Sequence, residues 1–234
     1  WEDVDNPTLA GHHGTVTVTF SNAATPYYLA VPSGITKVRI KAYKASGTFS
    51  SISHSYPGND PNRLIAVEQW GTTQWATMNK AFYSCNNMDV TATDKPNFSQ
   101  CNDLSYMFWG CSSLVNTNGS ISNWNTENII DMNSTFNSTT SFNQPLNNWN
   151  TSNVTTMKYM LRANTSFDHP LDSFRINSIA TTMEDMLEDC GMSCENRSKT
   201  LDSWSTQAAN LGKNGINLGN LDRFYTTQYY NQTG

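Results

Sequence analysis

The sequence predicts an α/β solenoid of about five repeats, preceded by a small N-terminal β module and closed by a C-terminal cap. Three observations support this architecture: an apolar motif recurs at a nearly constant interval, alternating apolar and polar residues mark strands before residue 62, and the period is lost after residue 198. Such repeats are typical of solenoids, in which a single unit cannot bury its apolar face and stacked units share one core.

The repeat consists of an apolar residue, which we call the anchor, and a second apolar residue four positions later. The five pairs are Met78 and Phe82, Leu104 and Phe108, Met132 and Phe136, Met157 and Leu161, and Met183 and Leu187, and the longest interval separates Leu104 from Met132. An aromatic residue lies eight or nine positions before most anchors, as at Trp70, Trp124, Trp149 and Phe174. We therefore predict that the five pairs, with Trp124, Trp149 and Phe174, form the core of residues 63–198.

Each repeat has a β-prone stretch, such as 153–157, immediately before the apolar pair. The pair itself has the spacing of one or two helical turns. Asn128 and Asn153 occupy equivalent places, four residues after a tryptophan. Either their amides point inward and bond the neighbouring turn, as in an asparagine ladder, or they are ordinary polar loop residues.

The two ends of the chain differ from the repeats. Residues 14–20 and 35–43 alternate as half-buried strands do, so residues 1–62 are predicted to form a β module. The leader 1–14 is a candidate assembly strand that pairs with a neighbouring subunit, or it docks on its own domain. Residues 199–234 are predicted to cap the repeats with a helix around 201–211. The aromatic residues near the end either pack in this cap or form a contact surface: Phe224, Tyr225, Tyr229 and Tyr230.

The composition indicates a neutral, hydroxyl- and amide-rich surface. Charged residues make up only 14%, whereas the chain has 29 Asn, 25 Ser and 28 Thr, which favours an extracellular or cell-surface protein. The net charge is −5 and the 14 Lys and Arg are scattered, so a nucleic-acid-binding stripe is not expected. No apolar run is long enough to span a membrane. The chain begins at Trp1 without the features of a signal peptide, so we expect any export signal to have been removed or to lie before this residue.

Cysteine and histidine usage argues against a metal or cofactor. The cysteines are odd in number and contain no C-x-x-C, and His12, His13, His54 and His169 do not fall at ligand spacing with them. Cys190 and Cys194 are close enough to form a disulfide, or they act as small buried apolar residues.

The sequence contains no nucleophile elbow, zinc-protease helix or glycine-rich phosphate loop, so the chain is predicted not to be an enzyme. An acidic cluster surrounds residues 186–187 and is interpreted as the exposed face of a short amphipathic helix: Glu184, Asp185, Glu188 and Asp189. Among nine N-x-S/T sequons, four fall in or near polar loops and are predicted as the accessible glycosylation acceptors: Asn118, Asn137, Asn164 and Asn196.

Several stretches carry a resemblance to a known family, among them "NNWNTSNVTTMKYML", "LSYMFWGCSSL" and "SFNQPLNNW". Over residues 63–198 the chain resembles the BspA-like leucine-rich-repeat surface proteins, often described only as a domain of unknown function. It departs from their pattern at Cys101, where an aliphatic residue is usual, and in the longer interval before Met132. The resemblance implies a leucine-rich-repeat-like solenoid on a secreted or surface protein with roles in adhesion, protein binding or surface structure. It carries no catalytic residues.

We therefore predict a non-enzymatic extracellular structural protein, a subunit that assembles with copies of itself through its termini into a surface filament or layer. The alternative is a cell-surface adhesin that binds a host or matrix protein or a glycan through one solenoid face. In that case Trp109 and the C-terminal tyrosines would be the contacts.

Overall fold

The computed structural model describes residues 2–3, 38–39, 48–49, 52, 61–176 and 183–212. The chain divides into two compact units, Trp1–Ala45 and Ser46–Gly234. The predicted strand 14–20, most of the predicted strand 35–43, the leader beyond Asp3 and the aromatic residues 224–230 lie outside the described residues.

In the first unit, strand β1 (Glu2–Asp3) pairs with strand β2 (Val38–Arg39). The pairing is antiparallel, with Glu2 opposite Arg39 and Asp3 opposite Val38. β2 lies inside the segment whose alternation predicted a strand. The beginning of the leader therefore has a strand partner within its own chain.

The second unit opens with two short parallel pairs. Strand β3 (Thr48–Phe49) pairs with β5 (Gln74–Trp75), and β4 (Ala66–Val67) pairs with β6 (Asp89–Val90). Two 3-10 helices, Pro61–Arg63 and Ser120–Asn123, connect parts of this unit. The partners in the second strand pair are separated by nearly one repeat, so parallel pairing already joins one repeat length to the next in this region.

The eight residues that start at each anchor form a series of hydrogen-bonded turns, which we call the turn segments: 78–85, 104–111, 132–139, 157–164 and 183–190. In the first of them, the Ala81 N–H donates to the Met78 carbonyl at 3.0 Å and the Cys85 N–H donates to the Phe82 carbonyl at 3.0 Å. The helical turns predicted for these residues are wrong. The positions two and six residues after every anchor have positive φ: Lys80 and Ser84, Tyr106 and Gly110, Ser134 and Ser138, Tyr159 and Ala163, and Asp185 and Asp189. A left-handed residue at every fourth position interrupts an α-helix.

Backbone hydrogen bonds connect each turn segment to the next one along the chain. The N–H groups of Met78, Lys80 and Phe82 donate to carbonyls at or just before the equivalent positions of the next repeat, each at 2.9 Å. The pattern continues from Leu104 to the carbonyl of Asp131 at 2.9 Å, and parallel bridges pair Asp103 with Asp131 and Asp131 with Thr156. Successive N–H groups thus alternate between carbonyls of their own segment and carbonyls of the next segment. This arrangement leaves few buried donors unsatisfied.

The interior of the second unit is a layered apolar core. All thirteen residues predicted as the repeat core have 2% or less of their surface exposed: Met78, Phe82, Leu104, Phe108, Met132, Phe136, Met157, Leu161, Met183, Leu187, Trp124, Trp149 and Phe174. The rings of Phe82, Phe108 and Phe136 stack in succession, with centroids 5.5 and 5.6 Å apart. Burial of each such side chain stabilises the fold by about 1.5–3 kcal/mol.

The longer interval before Met132 holds a buried amide. Asn116 is fully buried, and its Nδ2 donates to the Val90 carbonyl at 2.9 Å while its Oδ1 accepts the Ile121 N–H at 2.9 Å. The second of these bonds fixes the start of the 3-10 helix Ser120–Asn123. The extra residues are accommodated by this local network, and Cys101, the other departure from the repeat pattern, remains buried.

Helix α1 (Cys194–Asn210) follows the last turn segment. The predicted C-terminal helix is therefore present, but it begins earlier than residue 201 and crosses the boundary placed between residues 198 and 199. Ser193 caps it, since its hydroxyl accepts the Asn196 N–H at 3.4 Å. Among the described residues, no helix has the length and apolar character needed to cross a membrane.

The buried face of α1 bonds the backbone of residues 171–176. Trp204 Nε1 donates to the Leu171 carbonyl at 3.2 Å, and Thr200 Oγ1 accepts the Leu171 N–H at 2.9 Å. Gln207 donates to the Phe174 carbonyl at 2.9 Å and accepts the Ile176 N–H at 3.2 Å. Helix side chains therefore satisfy backbone groups of this stretch, where otherwise the next repeat would be needed.

Candidate binding face

The outer side of the turn segments is formed by residues that the left-handed turns direct away from the core. In four segments the side chains two and five residues after the anchor are half-buried or exposed, and we call them the turn face: Lys80 and Tyr83, Tyr106 and Trp109, Tyr159 and Arg162, and Asp185 and Glu188. The anchor and the residue four positions later are buried in the same segments. The same backbone conformation thus buries two apolar residues of each segment in the core and places two residues of varying type on the turn face.

The first two segments place three large aromatic rings on the turn face, which we call the aromatic patch: Tyr83, Tyr106 and Trp109. Tyr83 and Trp109 stack with centroids 4.6 Å apart and planes 7° from parallel, and Tyr106 lies 6.5 Å from Tyr83. Lys80 Nζ is 5.6 Å from the centre of the Tyr106 ring. Trp109 was singled out in the sequence, but its partner Tyr83 was not. The register could have identified it, because both residues lie five positions after an anchor.

The last two segments place charges on the same face. Lys158 Nζ lies 2.6 Å from Glu184 Oε2, and Arg162 Nε lies 2.5 Å from Glu188 Oε2. The hydrogen bond that Lys158 donates to Glu184 raises the pKa of Lys158. Both cations also lie over the Tyr159 ring, at 4.7 and 5.3 Å from its centre. The acidic cluster is therefore not the face of a short helix, as predicted, because its residues lie in turns and two of them pair with cations of the preceding segment.

The asparagines of the predicted ladder do bond the preceding repeat, but from outside. Asn153 Nδ2 donates to the Glu127 carbonyl at 2.7 Å and Asn128 Nδ2 donates to the Ser99 carbonyl at 3.4 Å. Both side chains are exposed, so of the two alternatives the inward-pointing amide is wrong, and the two asparagines are polar surface residues.

A buried threonine ladder was missed. Thr126 Oγ1 donates to the Asn150 carbonyl at 3.0 Å, and Thr151 Oγ1 donates to the Arg175 carbonyl at 3.1 Å. Both hydroxyls lie in residues with 1% or less of their surface exposed. Each threonine follows a core tryptophan by two residues, which was the signal available in the sequence.

The four predicted glycosylation acceptors occupy different environments. Asn164 is fully buried beside Thr139, and Asn137 is 8% exposed, so the prediction that these two are accessible is wrong. The residues after the second apolar position turn back into the core instead of forming a surface loop. Asn196 is half-buried, and its Nδ2 donates to Asp168 Oδ1 at 2.8 Å. Asn118 is exposed, although its amide donates to the Thr91 carbonyl at 2.9 Å.

Three cysteines are buried thiols stacked among the turns. Burial raises the pKa of Cys85 to about 12 and also raises the pKa values of Cys101 and Cys111. Cys111 Sγ donates to the Phe82 carbonyl at 3.0 Å. At neutral pH these thiols are protonated and therefore poor nucleophiles. Cys190 is buried and Cys194 is exposed at the first residue of α1, and the disulfide between them stays a prediction.

Acidic side chains in the repeats accept hydrogen bonds from backbone N–H groups of the turns. Asp103 Oδ1 accepts the Ser105 N–H at 2.7 Å and Asp131 Oδ1 accepts the Asn133 N–H at 2.8 Å. Burial raises the pKa of Asp131, and the neighbouring Asp103 charge adds to this effect. Within the described ranges, no group of three or more His, Cys, Asp or Glu side chains is arranged to hold a metal ion. His169 lies 3.3 Å from the Asn143 carbonyl, and His12, His13 and His54 lie outside these ranges.

Comparisons with known proteins identify the family of the repeats. No curated protein and no solved structure matched the chain. One family model matched, described as "Mycoplasma protein of unknown function, DUF285", over residues 66–208. The matched range includes all five turn segments and most of α1, and it covers more than half of the chain. The chain therefore belongs to the DUF285 family.

Proposed function

We propose that the chain is a non-enzymatic extracellular surface protein of the BspA-like type that binds its ligand through the aromatic patch on the turn face of a leucine-rich-repeat-like solenoid. The observation that carries this proposal is the aromatic patch. Large aromatic side chains are favoured at recognition sites because they bury much apolar area with little loss of conformational freedom. Tyr83, Tyr106 and Trp109 are only half-buried, whereas many other aromatic residues of the same repeats lie in the core.

The solenoid in this proposal is supported by the hydrogen bonds between segments. Bonds such as Ser134 N–H to the Lys158 carbonyl at 2.8 Å connect consecutive repeats in constant register. The aromatic stack through Phe82, Phe108 and Phe136 crosses the same boundaries. Contacts of this kind between nearest neighbours are what stabilise repeat proteins.

A binding role is favoured over catalysis by the state of the reactive groups on and below the turn face. Glu184 and Glu188 pair with cations, and the pKa values of the buried thiols are raised by desolvation. Neither arrangement activates a nucleophile or a general base at neutral pH. The proposed location on the cell surface is supported by the low charge of the sequence and its many amides and hydroxyls.

The binding proposal can be tested by probing purified protein against an array that carries matrix proteins and oligosaccharides. We expect at least one class to bind, and Trp109→Ala to weaken that binding. Tyr159→Ala is the matched control, because Tyr159 is an outward aromatic residue of another segment and is covered by Lys158 and Arg162. A protein that bound neither class would refute the proposal.

Self-assembly through the termini into a filament or layer remains a second proposal. The neutral surface and the repeats favour it, but β1 pairs with β2 of the same chain, which gives the leader an intramolecular partner. Electron microscopy of the protein with and without residues 1–14 tests this role. Fibres that disappear on deletion would support it, and a monodisperse monomer in both samples would rule it out.

A further inference from the structure

We infer that the aromatic patch binds neutral sugar residues of a glycan, with a sugar ring packed over the bare backbone of Gly110. The inference rests on the proposed binding function and names the ligand class for that site. It follows from the shape beside Trp109, the chemistry of its neighbours and the size of the patch.

Gly110 leaves the position that follows Trp109 in the chain without a side chain. The equivalent position, six residues after the anchor, carries a side chain in the other four segments: Ser84, Ser138, Ala163 and Asp189. A Cβ atom added at Gly110 would lie 3.8 Å from Ser84 Oγ and 3.8 Å from Asn86 Oδ1. These distances are ordinary van der Waals contacts, so a side chain at residue 110 would pack against a hydroxyl and an amide, and glycine leaves that contact to a ligand.

These neighbours match a neutral polyol. Sugar hydroxyls need donors and acceptors at the rim, whereas the weakly polarised C–H groups of the ring pack against aromatic surfaces, whose π systems carry negative charge. Ser84 and Asn86 can both donate and accept hydrogen bonds. Asn133 Nδ2 lies 3.5 Å from the Tyr106 hydroxyl, which extends the neutral hydrogen-bonding rim to the next segment.

The size of the patch distinguishes a sugar from a protein partner. Three half-buried aromatic rings expose at most about 250 Å². A stable protein interface needs about 800 Å² per partner. The patch is thus sufficient for one or two sugar rings. A charged partner is not favoured, since Lys80 is the one cation beside these rings in the described part of the chain and lies near Tyr106.

Placing a side chain at Gly110 provides the sharpest test. Gly110→Ser introduces a side chain that the equivalent positions Ser84 and Ser138 tolerate at φ values of 60° and 58°. This variant should therefore fold, with a thermal midpoint about 2–4 °C below that of the wild type because φ at Gly110 is 73°. The control is Ala163→Ser, which introduces serine at the equivalent position away from the patch. We would apply the wild type, this control, Gly110→Ser and Trp109→Ala to arrays of neutral, sialylated and sulfated oligosaccharides and of matrix proteins.

We expect the wild type and Ala163→Ser to bind neutral oligosaccharides, and both patch variants to lose about tenfold or more in affinity. Equal binding by folded Gly110→Ser would overturn the inference. Binding restricted to matrix proteins, or to charged glycans, would overturn it too but would leave the proposed binding function intact. An absence of binding on every array would refute both the inference and the proposed binding function.

Discussion

The first two and the last two turn segments share one backbone but display different chemistry. Segments 78–85 and 104–111 carry the neutral aromatic patch, whereas 157–164 and 183–190 carry two ion pairs around Tyr159. Below them, the second apolar position changes from phenylalanine to leucine, yet both types are buried. The turn scaffold therefore does not depend on which side chains it displays, and surface chemistry can change along the chain without a change in fold.

The backbone explains this independence. The residue two positions after the anchor has φ between 51° and 58° in all five segments, although it is Lys80, Tyr106, Ser134, Tyr159 or Asp185. An isolated residue of these types would avoid the left-handed region. Hydrogen bonds on both sides, within the turn and to the neighbouring segment, offset that preference.

The largest effect is expected from truncating the shared interior in each half. Phe108→Ala, in the aromatic half, should lower the free energy of unfolding by about 3–5 kcal/mol, and Leu161→Ala, in the charged half, by about 2–5 kcal/mol. Each side chain is fully buried, so each change leaves a cavity. Urea denaturation measures both values.

Similar losses would support a core of equal importance in the two halves. A loss below about 1 kcal/mol for either variant would show that its half is not packed as described. Lys80→Ala, an exposed change in the same scaffold, serves as the control and should have little effect.

The two halves also differ in how closely neighbouring atoms approach a glycine. A Cβ added at Gly191 would lie 2.0 Å from the Thr165 carbonyl oxygen, which belongs to the backbone and cannot move aside easily. Gly191→Ala should therefore destabilise the protein by about 3 kcal/mol. Gly110→Ala meets no atom closer than 3.7 Å and should lose only about 1 kcal/mol, from its φ of 73°.

Thermal unfolding of these two variants side by side provides the measurement. An equal loss for both would mean that the close approach at residue 191 does not exist in solution. A larger loss for Gly110→Ala would contradict the van der Waals contacts that its Cβ atom should make without displacing any neighbour.

The repeat register and the buried core residues could be predicted from the sequence, because apolar side chains at Met132 and Phe136 recur at fixed spacing. The turns could not. An i, i+4 apolar pair fits a helix as well as two successive turns with a left-handed residue between them, and Ser134 carries none of the glycine signal that marks such a turn. The hydrogen bonds that decide between the two come from the neighbouring repeat. The solenoid itself stays a prediction.

Residues after each apolar pair were the least predictable part of the repeats. Asn164 has the composition of a loop, but it stacks in line with Cys111 and Thr139 inside the core. Tyr83 and Trp109 lie one full repeat apart in the sequence, and only the register brings them together. A single repeat does not contain enough information to orient its polar residues.

The junction with α1 should give the charged half a dependence on pH. Asp168 Oδ1 accepts the Ser193 N–H at 2.7 Å, and this hydrogen bond lowers the pKa of the carboxyl group. Because the folded pKa lies below the unfolded one, the stabilisation is complete above the unfolded value of about 3.9 and is lost as the pH falls through the folded pKa. Asp168→Asn should lose about 1 kcal/mol at pH 7, since the carboxylate is largely solvated, and should show a weaker decrease below pH 4.

Stability measured by urea denaturation between pH 2 and pH 7 tests this expectation. Parallel curves for the wild type and Asp168→Asn would show that the carboxylate does not contribute.

The carboxyl group of Asp131 should give stability the opposite dependence on pH. Burial raises the pKa of Asp131, so ionisation destabilises the fold as the pH rises above about 3.9. Asp131→Asn removes this effect. That variant should be at least as stable as the wild type at pH 7, because an amide oxygen can still accept the Asn133 N–H.

The smallest effect should come from the ion pairs that distinguish the two halves most visibly. Arg162→Met keeps much of the apolar stem over Tyr159 but removes the contact with Glu188, and it should change the free energy of unfolding by about 0–1 kcal/mol. Salt should reduce the difference further, because the guanidinium is exposed and screened. Denaturation at low and high ionic strength measures the effect. A loss well above about 1 kcal/mol, insensitive to salt, would mean that the charged face helps to hold the repeats together, and the independence of scaffold and surface would then be limited to the aromatic half.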